Sequence, residues 1–351
     1  MKKIWIDILT PKQLLFAHYL SKKFSKRKVK LIFTSRQYDE VESLAKLHRI
    51  NLTVIGKHGG GTKIGKLEAS SDRTLKLAKF VHEQEPDYLI SFCSPEATRV
   101  AYGLGIKHIA FTDSPHAEAV MRLCLPYVTK LMTPWIIPKS AFTKYGIAAK
   151  DIIHYRTIDA NITLQARSVM SDVHIEPKKI VVRLEEDQAS YVKITESFDI
   201  ADRLTREFET SDILVLGRYD SQIKKFKEYT HAPITKMAID GKKLLENTSL
   251  FIGSGGTMTA ESALMGVPTI TFSAAPNFIE QYLIKKKLII KETDPEKIIP
   301  LAKKLLEQKR KPVKLNLNND DVFEKLITAL HQNKLNILTI DQTSWINQLA
   351  E

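Results

Sequence analysis

The chain is poor in cysteine and in long apolar runs. Two cysteines in 351 residues exclude a disulfide framework, and both, Cys93 and Cys124, fall in apolar segments, as buried thiols of a reducing cytoplasm do. No apolar run approaches the roughly 20 residues that span a bilayer. The apolar start is too short for a signal peptide and is interrupted by Asp7, so we interpret it as the first strand of a cytoplasmic protein.

Its basic residues also lack the interleaved aromatic side chains of a surface that binds single-stranded nucleic acid. A net charge of +13 nevertheless favours an anionic partner. Because the basic clusters fall at predicted helix ends and turns, we interpret most of them as solvated faces and expect no nucleic acid partner. Peripheral contact with an anionic membrane, at its inner face, is the alternative. The clusters lie at residues 22–30, 285–287 and 303–314.

Short apolar runs alternate with amphipathic stretches along most of the chain. This alternation predicts parallel strands joined by crossover helices, and the length predicts two domains. A polar stretch without a clear period, residues 159–177, is interpreted as the hinge. The predicted units are an N-terminal Rossmann-like domain at 1–165, a C-terminal one at 175–315, and a helix and tail at 316–351.

The most informative segment is residues 250–272, LFIGSGGTMTAESALMGVPTITF. It predicts a strand, a glycine turn, a helix, a tight turn and a strand. Gly255 and Gly256 allow a ligand to approach the backbone, and Thr257 is predicted to cap the helix. The first helical N–H groups would attract a diphosphate, and Glu261, one turn on, could accept hydrogen bonds from a ribose diol. A βαβ unit that binds nothing is the alternative.

Two strand-end loops of the first half carry candidate acid–base groups. The glycine-rich loop at 55–66 predicts either an acceptor phosphate site with His58 as base or a surface loop without a ligand. Asp113 and His116 are three residues apart at a strand-to-helix turn. They predict a carboxylate that orients a histidine base, or a capping pair in which Asp113 or Ser114 satisfies helix N–H groups.

Two arginines end neighbouring predicted strands of the second half. Arg183 follows one apolar run and Arg218 follows the next. Ligands of doubly wound domains bind beyond the carboxyl ends of the strands, and guanidinium groups bind phosphate in a bidentate way. Both arginines are therefore predicted to contact a diphosphate.

The segment 250–272 resembles the donor-nucleotide motif of GT-B glycosyltransferases and UDP-N-acetylglucosamine 2-epimerases. With residues 4–7, 54–60 and 113–117 and the Arg183 strand end in matching order, the chain resembles domain-of-unknown-function family 354, which is grouped with those enzymes. The resemblance implies an α/β GT-B fold, two doubly wound Rossmann-like domains with a cleft between them. It also implies that the glycine turn faces the diphosphate, that Glu261 holds the ribose, and that Gln281, with Glu280, contacts the donor sugar.

Taken together, these features predict a glycosyltransferase that moves a sugar from a nucleoside diphosphate, UDP above all, to a glycan or lipid-linked acceptor. The nucleotide sugar is a co-substrate, and no bound cofactor is expected. A 2-epimerase, a hydrolase and a non-catalytic nucleotide-sugar-binding protein are the alternatives. The epimerases carry a Thr-His-Arg loop, whereas Arg183 here lacks the histidine, which favours transfer. No Asp-X-Asp motif follows a strand, so the sequence gives no support for a metal-dependent GT-A mechanism and favours metal independence.

Overall fold

The computed structural model describes residues 1–166, 179–185, 197–209, 212–217, 220–230, 234–236, 241–308, 310 and 313–332. Two parallel sheets, one in each half of the chain, organise these residues. No helix among them is both long and apolar enough to cross a membrane.

The first half forms a seven-stranded sheet in the order β3-β2-β1-β4-β5-β6-β7, with every paired strand parallel. The strand order reverses between β1 and β4, and ligands of doubly wound sheets bind beside such a reversal. The strands are β1 (Lys2–Ile8), β2 (Val29–Gln37), β3 (Leu52–Lys57), β4 (Tyr88–Ser91), β5 (Lys107–Phe111), β6 (Lys130–Pro134) and β7 (Ile152–Tyr155). The helices are α1 (Pro11–Phe24), α2 (Asp39–Leu47), α3 (Lys63–Gln84), α4 (Pro95–Gly103), α5 (Glu118–Cys124), α6 (Ser140–Thr143) and α7 (Asp159–Ala166).

The second half repeats the plan with a six-stranded parallel sheet in the order β10-β9-β8-β11-β12-β13. Here the order reverses between β8 and β11. The strands are β8 (Ile180–Arg183), β9 (Ile213–Gly217), β10 (Ile234–Lys236), β11 (Leu250–Gly253), β12 (Thr269–Thr271) and β13 (Ile290–Lys291). The helices are α8 (Ser197–Glu207), α9 (Asp220–Tyr229), α10 (Gly241–Glu246), α11 (Thr257–Leu264), α12 (Phe278–Lys285), α13 (Pro295–Leu306) and α14 (Asp320–Gln332).

The last helix, α14, returns to the first sheet. Its Phe323 ring lies 5.0 Å from the ring of Phe24 in an edge-on contact. The hydroxyl of Tyr88 on β4 donates to the carbonyl oxygen of Leu330 at 2.9 Å. The chain therefore crosses between the halves twice, once through α7 and once before α14.

The predicted α/β architecture of two doubly wound sheets is confirmed. The expected irregular hinge is wrong for residues 159–166, which form α7, while residues 167–178 lie outside the described residues. Asp159 and Thr163 of α7 are buried because they form hydrogen bonds and ion pairs with other side chains. The segment is therefore a packed helix, although its polar composition is typical of a linker. The short strands β7 and β10 were also missed.

A buried ion pair fixes the carboxyl end of β1. Arg73 of α3 is 1% exposed, and its Nη2 lies 2.6 Å from Oδ1 of Asp7. The same carboxylate oxygen accepts from Thr34 at 2.6 Å, and the Thr34 hydroxyl oxygen accepts from the Trp5 indole at 2.7 Å. Removing Arg73 would leave Asp7 buried without its ion-pair partner.

We expect Arg73→Met to lower the free energy of unfolding by about 3–5 kcal/mol, because Asp7 would remain buried without a cation. Urea titration monitored by circular dichroism measures the change. Lys76→Met on the same helix is the control, since Lys76 is exposed and pairs only with exposed Asp72; it should cost no more than about 1 kcal/mol. Similar costs for the two variants would contradict this account of the pair.

Candidate functional site

The glycine turn after β11 has the backbone geometry that the sequence predicted. Gly255 and Gly256 have φ angles of 97° and 85°, a region that favours glycine. Gly256 is the N-cap of α11 and Thr257 is its first residue, so the expectation that Thr257 caps the helix is wrong. Since no side chain caps α11, its first N–H groups face the turn.

The carboxylate of Glu280 packs against the backbone of this turn at Gly255. A Cβ on Gly255 would lie 2.6 Å from both carboxylate oxygens of Glu280. Those oxygens accept from the Thr271 hydroxyl at 3.0 Å and from the Asn277 N–H at 3.3 Å. Burial raises the pKa of Glu280 despite both hydrogen bonds. The buried carboxylate of Glu280 thus forms its hydrogen bonds with residues beside the glycine turn. Gln281, next to it, is exposed and donates to the carbonyl oxygen of Pro276 at 2.7 Å.

Glu261 lies where the two halves meet. It is 1% exposed, and its Oε1 accepts from the hydroxyl of Thr163 on α7 at 2.6 Å. Because α11 follows β11 and α7 belongs to the first half, this hydrogen bond joins the two halves beside the glycine turn.

Lys12 forms the centre of a charge cluster that the sequence analysis missed. Its Nζ lies 2.7 Å from Oδ2 of Asp113 and 3.0 Å from Oδ2 of Asp159. Tyr155 donates to the other oxygen of Asp159 at 2.5 Å, and the Phe92 ring lies below the ammonium group. The only sequence signal was that Lys12 lies in the loop and first helical turn that follow the first strand.

The cluster shifts the pKa values of its two carboxylates in opposite directions. Burial alone would lower the pKa of Lys12, but the charges of Asp113 and Asp159 raise it, so the ammonium group stays protonated. Burial would raise the pKa of Asp113, yet the charge of Lys12 and three hydrogen bonds, from Lys12, from Ser114 and from the backbone N–H of Asp113, lower it. Burial raises the pKa of Asp159 and outweighs Lys12. Carboxylates whose pKa values are pushed apart are typical of acid–base sites.

One face of α7 connects this cluster to Glu261. Asp159, which binds Lys12, and Thr163, which binds Glu261, are four residues apart and therefore about 6 Å apart along the helix axis. Lys12 follows β1 and Glu261 follows β11. Each therefore lies beside the point at which the strand order of its own sheet reverses. The two sets of polar groups meet across the boundary between the halves.

His116 lies in the turn between β5 and α5, exposed at the surface. Desolvation of its ring lowers its pKa, and the charge of Asp113 opposes this shift. The oxygens of Asp113 accept from Lys12 and, at 2.8 Å, from Ser114. Within the described part of the chain no side chain caps α5, so the capping alternative for Asp113 and Ser114 is wrong.

The remaining predicted residues are spread over other strand ends. His58 follows the edge strand β3, and its Nδ1 accepts from the N–H of Gly60 at 3.0 Å. Arg183 stands opposite Gly253 in the register of β8 and β11, which places it beside the glycine turn, and its Nη1 donates to the Gly217 carbonyl at 3.0 Å. Arg218 lies outside the described residues.

Arg36, at the carboxyl end of β2, is a second residue that the sequence analysis missed. Its Nε is buried, and no group among the described residues accepts a hydrogen bond from it. Burial lowers the pKa of Arg36, the charge of Glu96 opposes the shift, and that of Arg73 adds to it. An unsatisfied buried N–H costs about 1–3 kcal/mol, so Arg36 is suited to an anion that supplies the missing acceptor.

Known proteins match this chain over nearly its whole length. An uncharacterized protein of Methanocaldococcus jannaschii is 27% identical over 340 residues, covering 93% of this chain and 98% of that protein. The UDP-GlcNAc 2-epimerase of the same organism, in complex with UDP-GlcNAc and UDP, superposes with a TM-score of 0.71 at 16% identity, covering 93% of this chain and 99% of that one. The UDP-GlcNAc 2-epimerase of Neisseria meningitidis, bound to UDP-GlcNAc, superposes with a TM-score of 0.70 at 12% sequence identity. The match covers 93% of this chain and 100% of that one.

At such identities the solved structures establish the fold, which is that of the GT-B-like epimerases. The family follows from the sequence itself, since one family model matches residues 2–335 and so includes both sheets and every candidate residue described above. The chain therefore belongs to the family described as protein of unknown function, DUF354.

Proposed function

We propose that this protein is an enzyme that breaks the bond between a sugar and the diphosphate of a nucleotide sugar, UDP-linked above all, in the cleft between its halves. The observation that carries the proposal is the α7 face on which Asp159 and Thr163 join the Lys12 cluster to Glu261. It connects the Lys12 cluster of the first half to Glu261, on the helix that follows the glycine turn of the second half. The UDP-bound structures of the same fold support a nucleotide-sugar ligand.

In this proposal the second half binds the donor. The amides of Gly255, Gly256 and Thr257, at the positive end of α11, would hold the diphosphate, and Arg183 would add a charge-assisted contact. Glu261 would hold the ribose. Its carboxylate is buried against Thr163 in this structure, so the ribose would enter by a slight separation of α7 from α11.

The first half then supplies the proton chemistry. His116 would remove a proton from the acceptor hydroxyl, the acceptor oxygen would form a bond to the anomeric carbon, and the electron pair of the breaking bond would leave with the diphosphate. Lys12, kept protonated by Asp113 and Asp159, would stabilise the negative charge that develops there. The buried N–H of Arg36 supports a second, anionic ligand in the first half, and hence transfer to a phosphate-bearing glycan or lipid-linked acceptor.

A 2-epimerisation is the second candidate, favoured by the superposition on UDP-GlcNAc 2-epimerases over 93% of this chain. It requires a base and an acid at one sugar carbon, which the separated carboxylates Asp113 and Asp159 would provide. The missing histidine beside Arg183 disfavours it.

Product analysis with UDP-, GDP- and CMP-sugars distinguishes these reactions. Transfer releases nucleotide only when an acceptor is present, hydrolysis releases it without one, and epimerisation changes the sugar without net release. Anionic acceptors, phosphorylated glycans and polyprenyl phosphates, would be tried first because of Arg36. A protein that binds a donor and leaves every one of them unchanged would contradict the proposal of an enzyme.

Ligand binding should separate the roles of Glu261 and Arg183. We expect Glu261→Gln, which keeps a hydrogen bond with Thr163, to weaken uridine and UDP alike by about tenfold or more, because a charge-assisted bond to the ribose is lost. Arg183→Ala should weaken UDP by a similar factor and leave uridine unchanged. Calorimetric titration measures both.

Glu307→Gln is the matched control for Glu261→Gln, since Glu307 is exposed at the end of α13. Its UDP affinity should equal that of the wild type. Equal UDP affinity in Glu261→Gln and Glu307→Gln would remove Glu261 from the site.

A further inference from the structure

A cavity of about 360 Å³ lies on the boundary between the halves, apart from the glycine turn. Trp135, directly after β6, and Arg156, directly after β7, form its first-half wall. Tyr282 and Lys286, at the end of α12, form its second-half wall, and the segment 314–318, which crosses back to α14, closes it. Its volume falls within the usual range for small-molecule sites.

The charge of this cavity is of one sign. Arg156, Lys286 and Lys314 line it, and none of the described lining residues is acidic. The three residues are exposed, and no described carboxylate lies within ion-pair distance of any of the three cations. Three unneutralised cations around one small volume raise the local concentration of anions.

One wall of the cavity is apolar, and a backbone hydrogen bond holds the crossing segment in place. The rings of Trp135 and Tyr282 meet edge to face at 5.6 Å, one from each half. Asn318 donates its backbone N–H to the carbonyl oxygen of Arg156 at 2.8 Å, which ties the crossing segment to the end of β7. The aromatic pair and Leu315 could contact the non-phosphate part of a ligand while the cations bind its charge.

We propose that this cavity is a second binding site, for a small phosphorylated molecule. It is distinct from the proposed donor site, because none of its described lining residues belongs to the glycine turn after β11, to the end of β8 or to α11. Since its cations come from both halves and from the crossing segment, a ligand bound here would stabilise the contact between the halves. This inference does not depend on the reaction proposed above.

Titration with inorganic pyrophosphate and with UMP, followed by tryptophan fluorescence, tests the site in the full-length protein. Of the three tryptophans, Trp135 lies in the cavity, Trp5 is fully buried elsewhere and Trp345 lies outside the described residues, so the part of the signal that Trp135→Phe removes reports on the cavity. We expect the triple variant R156A/K286A/K314A to bind pyrophosphate at least about tenfold more weakly than the wild type. The control K150A/K285A/K304A removes the same charge from exposed positions outside the cavity and should change affinity less than about twofold.

The single variants Lys286→Ala and Lys285→Ala, neighbours on one helix end, repeat the comparison should the triple variant fail to fold. A larger affinity loss for Lys286→Ala supports the site. Equal losses, or a full fluorescence response in Trp135→Phe, would overturn it. Binding to vesicles with and without phosphatidylglycerol is measured last. The proposal would also be overturned if the wild type bound these vesicles, the triple variant did not, and neither pyrophosphate nor UMP bound at all. The three cations would then bind a membrane surface.

Discussion

Replacing Lys12 by methionine should lower turnover of a nucleotide sugar by about 10²–10³, the range measured when a group that stabilises developing charge is removed. Lys12 is held 2.7 Å from Asp113 and 3.0 Å from Asp159, and their charges raise its pKa, so it is a fixed cation at neutral pH. Methionine keeps much of the side-chain volume and removes the charge. Release of nucleotide from the best donor, with acceptor, measures the loss.

The same variant should also reduce stability, since two carboxylates would remain at the cluster without their cation. Lys12→Met combined with Asp159→Asn therefore serves as the decisive control. Removing the buried charge of Asp159 should restore much of the stability, measured by urea titration, without restoring turnover. Lys22→Met, exposed on the same helix, should change neither quantity appreciably. Recovery of turnover in the double variant would show that Lys12 acts only through the fold.

His116→Ala should reduce turnover by about 10²–10⁴, the usual range for a positioned acid–base group, while UDP affinity stays within about twofold of the wild type. Desolvation lowers the pKa of His116, so the imidazole is neutral and able to accept a proton at pH 7. Wild-type turnover should therefore fall as the pH drops through that lowered pKa, and this acid limb should be absent from the variant. Steady-state rates from pH 5 to 8 measure it.

His58→Ala is the matched control, because His58 lies in a loop after the edge strand β3 and away from the Lys12 cluster. It should raise the KM for the acceptor and leave the acid limb in place. The opposite pattern would assign the base to His58. Full turnover in both variants would mean that the base lies elsewhere, with Asp7 and Asp113 as the next candidates, or that the protein is no transferase.

The fold and the glycine turn could be predicted because their signals are local. Alternating apolar runs determine parallel strands with crossover helices, and adjacent glycines before a helix require backbone angles that other residues rarely adopt. Gly255 and Gly256 have such angles. Glu261 was predicted to face a ligand site, and the structure places it at the boundary of the halves, 1% exposed.

The rest of the candidate site depends on long-range contacts that no local pattern reveals. Lys12 meets Asp113 and Asp159, which follow it by 101 and 147 residues. For the same reason the polar helix α7 seemed to be a linker, since Asp159 and Thr163 are buried only through partners elsewhere. Arg36 is notable because no described residue accepts a hydrogen bond from its Nε, and no local sequence pattern reveals that.

The most direct test is a crystal structure of the protein grown with excess UDP. The account predicts the diphosphate against the N–H groups of Gly255, Gly256 and Thr257, within reach of Arg183, the ribose at Glu261, and the Lys12 cluster across the cleft. UDP bound away from this turn, or a turn that stays empty at saturating UDP, would contradict it.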